Sequence, residues 1–273
     1  MLKKTFKNIP LDPALFKTKD PKGSLDWWAT FYDEHFADFF MAVADGDELE
    51  ATVDFLRKRL GIQKAQRVFD QCCGNGRLSL PLAEAGAHLV GVDLNSDYIQ
   101  KATARAQFKN FACDFYAADA YEFVSPAVCD AAFNWYTSFG FAASDDQNFQ
   151  MLQNAFASLK PGGSYALDYF NAEHVLKFFK KLMRREYVTS AGHVELVRES
   201  RIHSSRMEQC WTYVWPDGRQ VSKTSSFALY TPGDIAGMFT KSGFITIEQY
   251  GDVWGAGLSA NLHRCICIGR KPV

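Results

Sequence analysis

A chain of 273 residues in which 30 Lys and Arg meet 31 Asp and Glu has a formal net charge of -1, so it lacks the basic footprint that duplex nucleic acid or an acidic membrane surface selects. Its 7 Cys match no zinc-ligand or Cys-x-x-Cys spacing, which suits reduced thiols in a cytoplasmic protein. The opening MLKKTFKNIPLDP has charge but no apolar run of signal-peptide length, and no stretch approaches the roughly 18 apolar residues of a spanning helix; the expectation is a soluble protein not exported by that route.

From Ser24 to Ala44 the residues Trp28, Phe31, Tyr32, Phe36, Phe39 and Val43 recur at spacings of three and four, one face of a helix. A second helix follows, with Asp47 as its expected cap, Glu50 in the capping-box position, apolar Leu49, Val53, Leu56 and Leu60, and Gly61 at its end.

Between Arg67 and Phe170 short apolar runs alternate with helical stretches. RVFDQC, HLVGVDL, FACDFYAAD, CDAAFNWY and SYALDYF read as strands, with helices near 77–85, 96–107 and 145–159 and a short crossover near 120–127. Such alternation predicts an α/β fold, a parallel sheet with helices on both faces.

Past Asn171 the order breaks. HVLKFFKKLMRREY has the helix period, with Val175, Phe178, Phe179, Leu182 and Met183 as its apolar positions and a solvated basic face. HVELVRESRI, RMEQCWTYVW and QVSKTSSFALY read as an antiparallel meander with a turn at PDG, 216–218. A helix at 232–242, ended by Gly243, and the strands FITIEQYGD and HRCICIGRK close the chain.

The chemistry concentrates at three strand ends. In VFDQCCGNGRLSL a strand ends at Asp70, and a tight turn with Gly74 and Gly76 opens a helix, glycines that let the backbone approach a ligand closely. The next strand ends at Asp93, where a carboxylate can accept both hydroxyls of a ribose, and the third at Asp119. Three acids on one sheet edge suit a ligand with ribose, adenine and a cationic part; a pyrophosphate would be repelled by Asp70.

With DQCCGNGR, VGVDLN, AADA, CDAAFNWYTSFGF and LKPGG in this order, the chain resembles the class I S-adenosylmethionine-dependent methyltransferases over about residues 47–170 and again in the last 40. Cys72 departs from the glycine common there. The resemblance implies a Rossmann-like, doubly wound, seven-stranded and mostly parallel sheet. It divides the chain into an N-terminal helical cap (1–61), a cofactor-binding core (62–171), a helix plus meander as substrate lid (172–229), and a C-terminal helix with the last two strands (230–273).

It also implies S-adenosyl-L-methionine as cofactor. Asp70 would lie near its amino acid end, Cys72, Gly74 and Gly76 would line it, Asp93 and Leu94 would hold the ribose, Asp119 and Ala120 the adenine, and Asn134 and Trp135 would flank the methionine part. Around the reacting group, Tyr32, Asn134, Tyr136, Ser138, Tyr169, Asn171 and His174 are the polar candidates. Each has a plainer rival: strand-end turn acids, a capping His, an aromatic stripe that is only core.

The expected reaction is N- or O-methylation of a small molecule by in-line displacement from the sulfonium, which orientation and a dry site favour and which needs no metal. Two alternatives stay open: cyclisation of the cofactor's own aminobutyrate part with release of methylthioadenosine, and a non-catalytic binding module. Neither nucleic acid nor membrane is expected as a partner, and a homodimer stays open.

Overall fold

A computed structural model describes residues 27–33, 36, 46–126, 128–189 and 192–273. Of the predicted first helix, Ser24, Phe39 and Val43 lie outside the described residues; within them α1 spans Trp27–Phe31.

Helix α2 (Asp47–Leu60) ends on Gly61 at φ 67°, the left-handed geometry that glycine adopts without strain. Its start differs from expectation. Gly46 is the capping residue, with no side-chain cap bond, and Asp47, Glu48 and Glu50 sit in the first turn, where their charge meets the positive end of the helix dipole.

The core then runs β1 (Arg67–Gln71), α3 (Ser79–Glu84), β2 (His88–Asp93), α4 (Ser96–Lys109), β3 (Cys113–Ala117), β4 (Cys129–Asn134), α5 (Asp145–Ser158) and β5 (Leu159–Phe170). After the second sheet come α7 (Pro232–Lys241), β10 (Ile245–Tyr250) and β11 (Arg264–Arg270). The seven strands order as β10-β11-β5-β4-β1-β2-β3, and β11 alone runs against its neighbours. Because helices cover both faces, β1, β2 and β4 are apolar along nearly their whole length: Val68, Phe69, Leu89, Val90, Ala131 and Phe133 are buried. Strand order reverses at β1, and the crevice beyond the carboxyl ends of β1 and β4 is where open sheets of this kind take ligands.

The region after β5 corrects the sequence reading. The expected basic helix is only one turn and a half, α6 (Ala172–Lys177), and Leu182–Thr189 is strand β6. It pairs antiparallel with β7 (Gly192–His203), which continues to β8 (Arg206–Val214) and β9 (Gln220–Ala228), so the lid is a sheet of four strands instead of three. Phe178, Phe179 and Leu182, expected on a packed face, are exposed or face a cavity. The ladder to β7 satisfies backbone groups that a helix here would have satisfied locally.

The lid is fastened to the core at the loop after β4. Arg206 donates to the carbonyls of Phe141 and Ala142 at 3.0 and 2.9 Å, the Ala228 N–H donates to the Gly140 carbonyl at 2.8 Å, and the Tyr169 hydroxyl donates to the Ala228 carbonyl. Gly140 has φ 80°, and a Cβ there would collide with the Tyr169 hydroxyl. Gly140→Ala is expected to cost about 2–4 kcal/mol from backbone strain and overlap combined, read as a fall in thermal midpoint; a midpoint within a degree of wild type would contradict this fastening.

Candidate active site

The carboxyl ends of β1, β2 and β4, helix α1 and the inner face of the lid line a cleft of about 1190 Å³. Its floor is the predicted acidic edge. The Asp70 carboxylate accepts from the Ser79 hydroxyl at 2.6 Å, and burial pushes it up to about 7. Asp93 organises two turns at once: one oxygen accepts the Gly74 N–H at 2.8 Å, the other the Asn95 N–H at 2.9 Å. Burial raises its carboxyl too, against the pull of those two N–H groups. Asp119 accepts the Tyr121 N–H at 2.8 Å, and Asn154 of α5 holds this loop through the Ala120 and Tyr121 carbonyls.

The glycine loop is tight. Cys72 has φ 66°, Gly74 φ 55° and Gly76 φ 79°. Cys72 thus adopts the left-handed conformation that explains why glycine is common at its position. Burial drives its thiol well above the ordinary range, so it is a neutral packing group whose Sγ lies 3.9 Å from the Ser138 carbonyl. A Cβ on Gly76 would sit 3.3 Å from Ala102 and Leu80; its lack of a side chain lets the loop pack on α3 and α4.

Among the residues proposed from sequence, Asp70, Cys72, Gly74, Asp93, Leu94, Asp119, Ala120 and Trp135 line the cavity, as do Tyr32, Tyr136, Ser138 and His174. Four lie behind its wall. Gly76 packs as above. Asn134 is fully buried, its amide donating to the Ser138 carbonyl at 3.3 Å and to Gln71 at 3.4 Å. Tyr169 is a core residue, edge-on to Phe139 at 5.6 Å and bonded to the lid. Asn171 caps α6 by accepting the Glu173 N–H and donates to the Ser259 and Leu262 carbonyls. Tyr169 is displaced by strand parity: its neighbour Phe170 takes the face that meets the cavity.

Helix α1 closes one side. Trp27 lies 4.8 Å and Tyr32 6.1 Å from the Phe141 ring. Four consecutive carbonyls hold this segment: Lys223 of β9 donates to Thr30 and Phe31 at 3.2 and 3.1 Å, Asn95 to Tyr32 at 2.8 Å, and Tyr98 to Asp33 at 3.0 Å. The indole N–H groups of Trp27 and Trp135 are buried without a partner among the described residues, donors available to a ligand in the cavity.

Several cavity residues carried no signal in the sequence. Arg77 faces the Tyr136 ring at 5.2 Å, and Arg264 pairs with Glu48 at 2.6 Å and reaches Asp168 at 3.5 Å. Burial, with Arg264 and His174 near it, lowers the His263 imidazole below its ordinary value, so it is neutral at pH 7. Burial raises the Tyr32 and Tyr136 hydroxyls, so both are proton donors there. The aromatic face Trp211, Tyr213, Trp215 divides: Trp211 roofs the cavity, and Tyr213 and Trp215 pack a small core with Val194 and Leu196. No helix among the described residues is long and apolar enough to cross a membrane.

Residues 68–163 match the family model described as a methyltransferase domain. A protein of Geobacillus sp. (strain WCH70) with a provisional methyltransferase name is 24% identical over 249 residues, 87% of this chain and 99% of that protein. An S-adenosylmethionine-dependent methyltransferase from Clostridium acetobutylicum ATCC 824 has the same fold, with a TM-score of 0.73 at 15% identity over 88% of this chain and 97% of the other. So does S-adenosylmethionine-bound CalS10, an amino pentose methyltransferase from Micromonospora echinaspora, at 0.64 and 21% identity over 82% and 90%. Residues 68–163 thus carry a methyltransferase domain, and the chain around it has the fold of S-adenosylmethionine-dependent methyltransferases.

Proposed function

We propose that the chain methylates a nitrogen or oxygen atom of a small-molecule acceptor bound between the sheet edge and the lid. The observation that carries this is the cavity. At about 1190 Å³ it exceeds the range of about 300–1,000 Å³ that holds one drug-sized ligand, leaving room for the cofactor and a second small molecule. It is walled by α1 and the lid, which suits a compact acceptor better than a polymer. The name of CalS10, an amino pentose methyltransferase, supports an acceptor of that size.

In this reading Asp93 and Leu94 hold the ribose, Asp119 and Ala120 the adenine end, and Asp70 faces the ammonium of the amino acid part. The N–H of Trp135 and the cation of Arg77 are at hand for its carboxylate. When bound, S-adenosylmethionine supplies an electrophilic methyl whose bond pair leaves with sulfur. The chain's contribution is orientation and exclusion of water, through Trp27, Tyr32 and Phe141 on one side and Phe170 and Phe227 on the other. An acceptor that arrives protonated can lose its proton to the neutral His263.

The test is incubation of the protein with S-adenosylmethionine and pooled small amines, phenols and acids, following products by mass spectrometry. Formation of S-adenosylhomocysteine together with an acceptor heavier by one methylene is the expected result. Release of methylthioadenosine without any acceptor would replace this reading with cyclisation of the cofactor.

A further inference from the structure

The lid's inner face holds a cation whose charge nothing in the described chain answers. Arg198 of β7 stands opposite Met183 of β6 and Trp211 of β8 in register, and all three line the cavity. Its guanidinium lies 5.2 Å from the Trp211 ring centre, and its one hydrogen-bond contact is 3.9 Å to the Met183 sulfur. Its Nε is buried with no partner, and among the described residues no carboxylate pairs with it. Other cations of the sheet and cavity are paired, Arg184 with Glu195, Arg201 with Glu208, Lys223 with Asp33 and Arg264 with Glu48, and the nearby Arg185 is exposed to solvent.

Beside Arg198 the roof is polar where a lid meant only to exclude water would be apolar. Ser200, Gln209 and Ser225 are 4%, 7% and 6% exposed and all line the cavity. Gln209 donates to Ser200 at 3.2 Å and accepts the Trp211 indole N–H at 3.3 Å, a network that fixes these side chains in place. Met183, Met207, Trp211 and Phe227 surround the patch. Burial and the nearby Arg185 already disfavour the charge on Arg198, a penalty that an incoming anion would relieve.

The two walls of the cavity therefore differ in sign, with Asp70, Asp93 and Asp119 on the floor and Arg198 above. We propose that the roof is a carboxylate subsite, and that the acceptor is a small organic acid with a flat apolar body, its carboxylate on Arg198 and its body against Trp211 and Phe227. This rests on the methyl-transfer reading above. A planar guanidinium fork matches a carboxylate, and neutral hydroxyl and amide groups beside it suit a single negative charge. The carboxylate of the cofactor itself is the rival occupant, and Arg77, within the segment that opens the glycine-loop helix, is the cation on its side of the cavity.

The test uses matched pairs, anthranilate against anthranilamide and para-hydroxybenzoate against its amide. Each is titrated by calorimetry into the full chain with and without S-adenosylhomocysteine. Acids are expected to bind at least about tenfold more tightly than amides. Arg198→Gln is expected to erase that ratio, and Arg198→Lys to keep part of it, with S-adenosylhomocysteine affinity unchanged in both. Should Arg198→Gln fail to fold in a melting experiment, Arg198→Lys must still reduce the ratio. Acids binding no better than amides, a preference that survives Arg198→Gln, or a loss of S-adenosylhomocysteine affinity in the variants would each overturn the proposal. A wild-type chain that does not bind S-adenosylhomocysteine would remove the methyl-transfer reading instead, and the acid-to-amide ratio in its absence would still judge the roof.

Discussion

Replacing Asp93 with Ala is expected to weaken S-adenosylmethionine binding by at least two orders of magnitude in calorimetric titration, more than the loss of ribose recognition alone. Two charge-assisted bonds to ribose hydroxyls account for about 3 kcal/mol, roughly a factor of 100. The same carboxylate also fixes the Gly74 and Asn95 N–H groups, so its removal frees the glycine loop and the turn that caps α4. Because Asn95 in turn holds the Tyr32 carbonyl, α1 should become more accessible to limited proteolysis. Asp93→Asn, which keeps one acceptor oxygen, should fall between the two. An Asp93→Ala variant that binds within tenfold of wild type would remove Asp93 from the cofactor site.

Asp70 gives the second large effect, with opposite signs for stability and binding. Its carboxyl titrates at about 7 in the fold because burial disfavours the anion, against an ordinary value of about 4 in the unfolded chain. Between those pH values the folded protein holds a proton that the unfolded chain has released, so the carboxyl erodes stability as pH rises from about 4 to about 7 and adds nothing further above that. Asp70→Asn should therefore stabilise the ligand-free protein by on the order of 2–4 kcal/mol at pH 8, with a gain that grows across that window and then levels off. It should also weaken the cofactor about 30-fold or more, since the ammonium loses its counter-charge. Melting curves from pH 4 to 9, with and without S-adenosylmethionine, read both effects. A variant less stable at pH 8 that binds normally would refute the assignment.

The parallel core was legible because each of its pieces is decided locally. A run such as HLVGVDLN is buried on both faces, ends in an acid and meets a capping Asn95, so pattern and structure agree residue by residue. The lid was only partly legible. KFFKKLMRREY satisfies the helix period, yet Leu182–Thr189 pairs with the strand that begins at Gly192, from Thr189 opposite Gly192 to Leu182 opposite Glu199, and the period of the segment alone does not reveal that pairing.

Site residues failed by the same logic. Asp168, Tyr169 and Phe170 alternate faces, and which face meets the cavity depends on the layer above. Arg198 does not stand out among the charges of HVELVRESR. A signal was nonetheless present, since Val194, Leu196, Arg198 and Ser200 share one strand face, and a lone cation that continues an apolar period marks a place where the interior expects company.

The mooring of the segment from Thr30 to Asp33 bears on how this N-terminal cover can diversify. Apart from the ion pair of Lys223 with the Asp33 side chain, its fasteners, Lys223, Asn95 and Tyr98, grip main-chain oxygens, groups that every residue type supplies. The side chains that look into the cavity from this stretch can therefore be exchanged without untying it. Evolution, or a designer, could retune the cover over the cavity one residue at a time while its anchoring groups stay written in other parts of the chain.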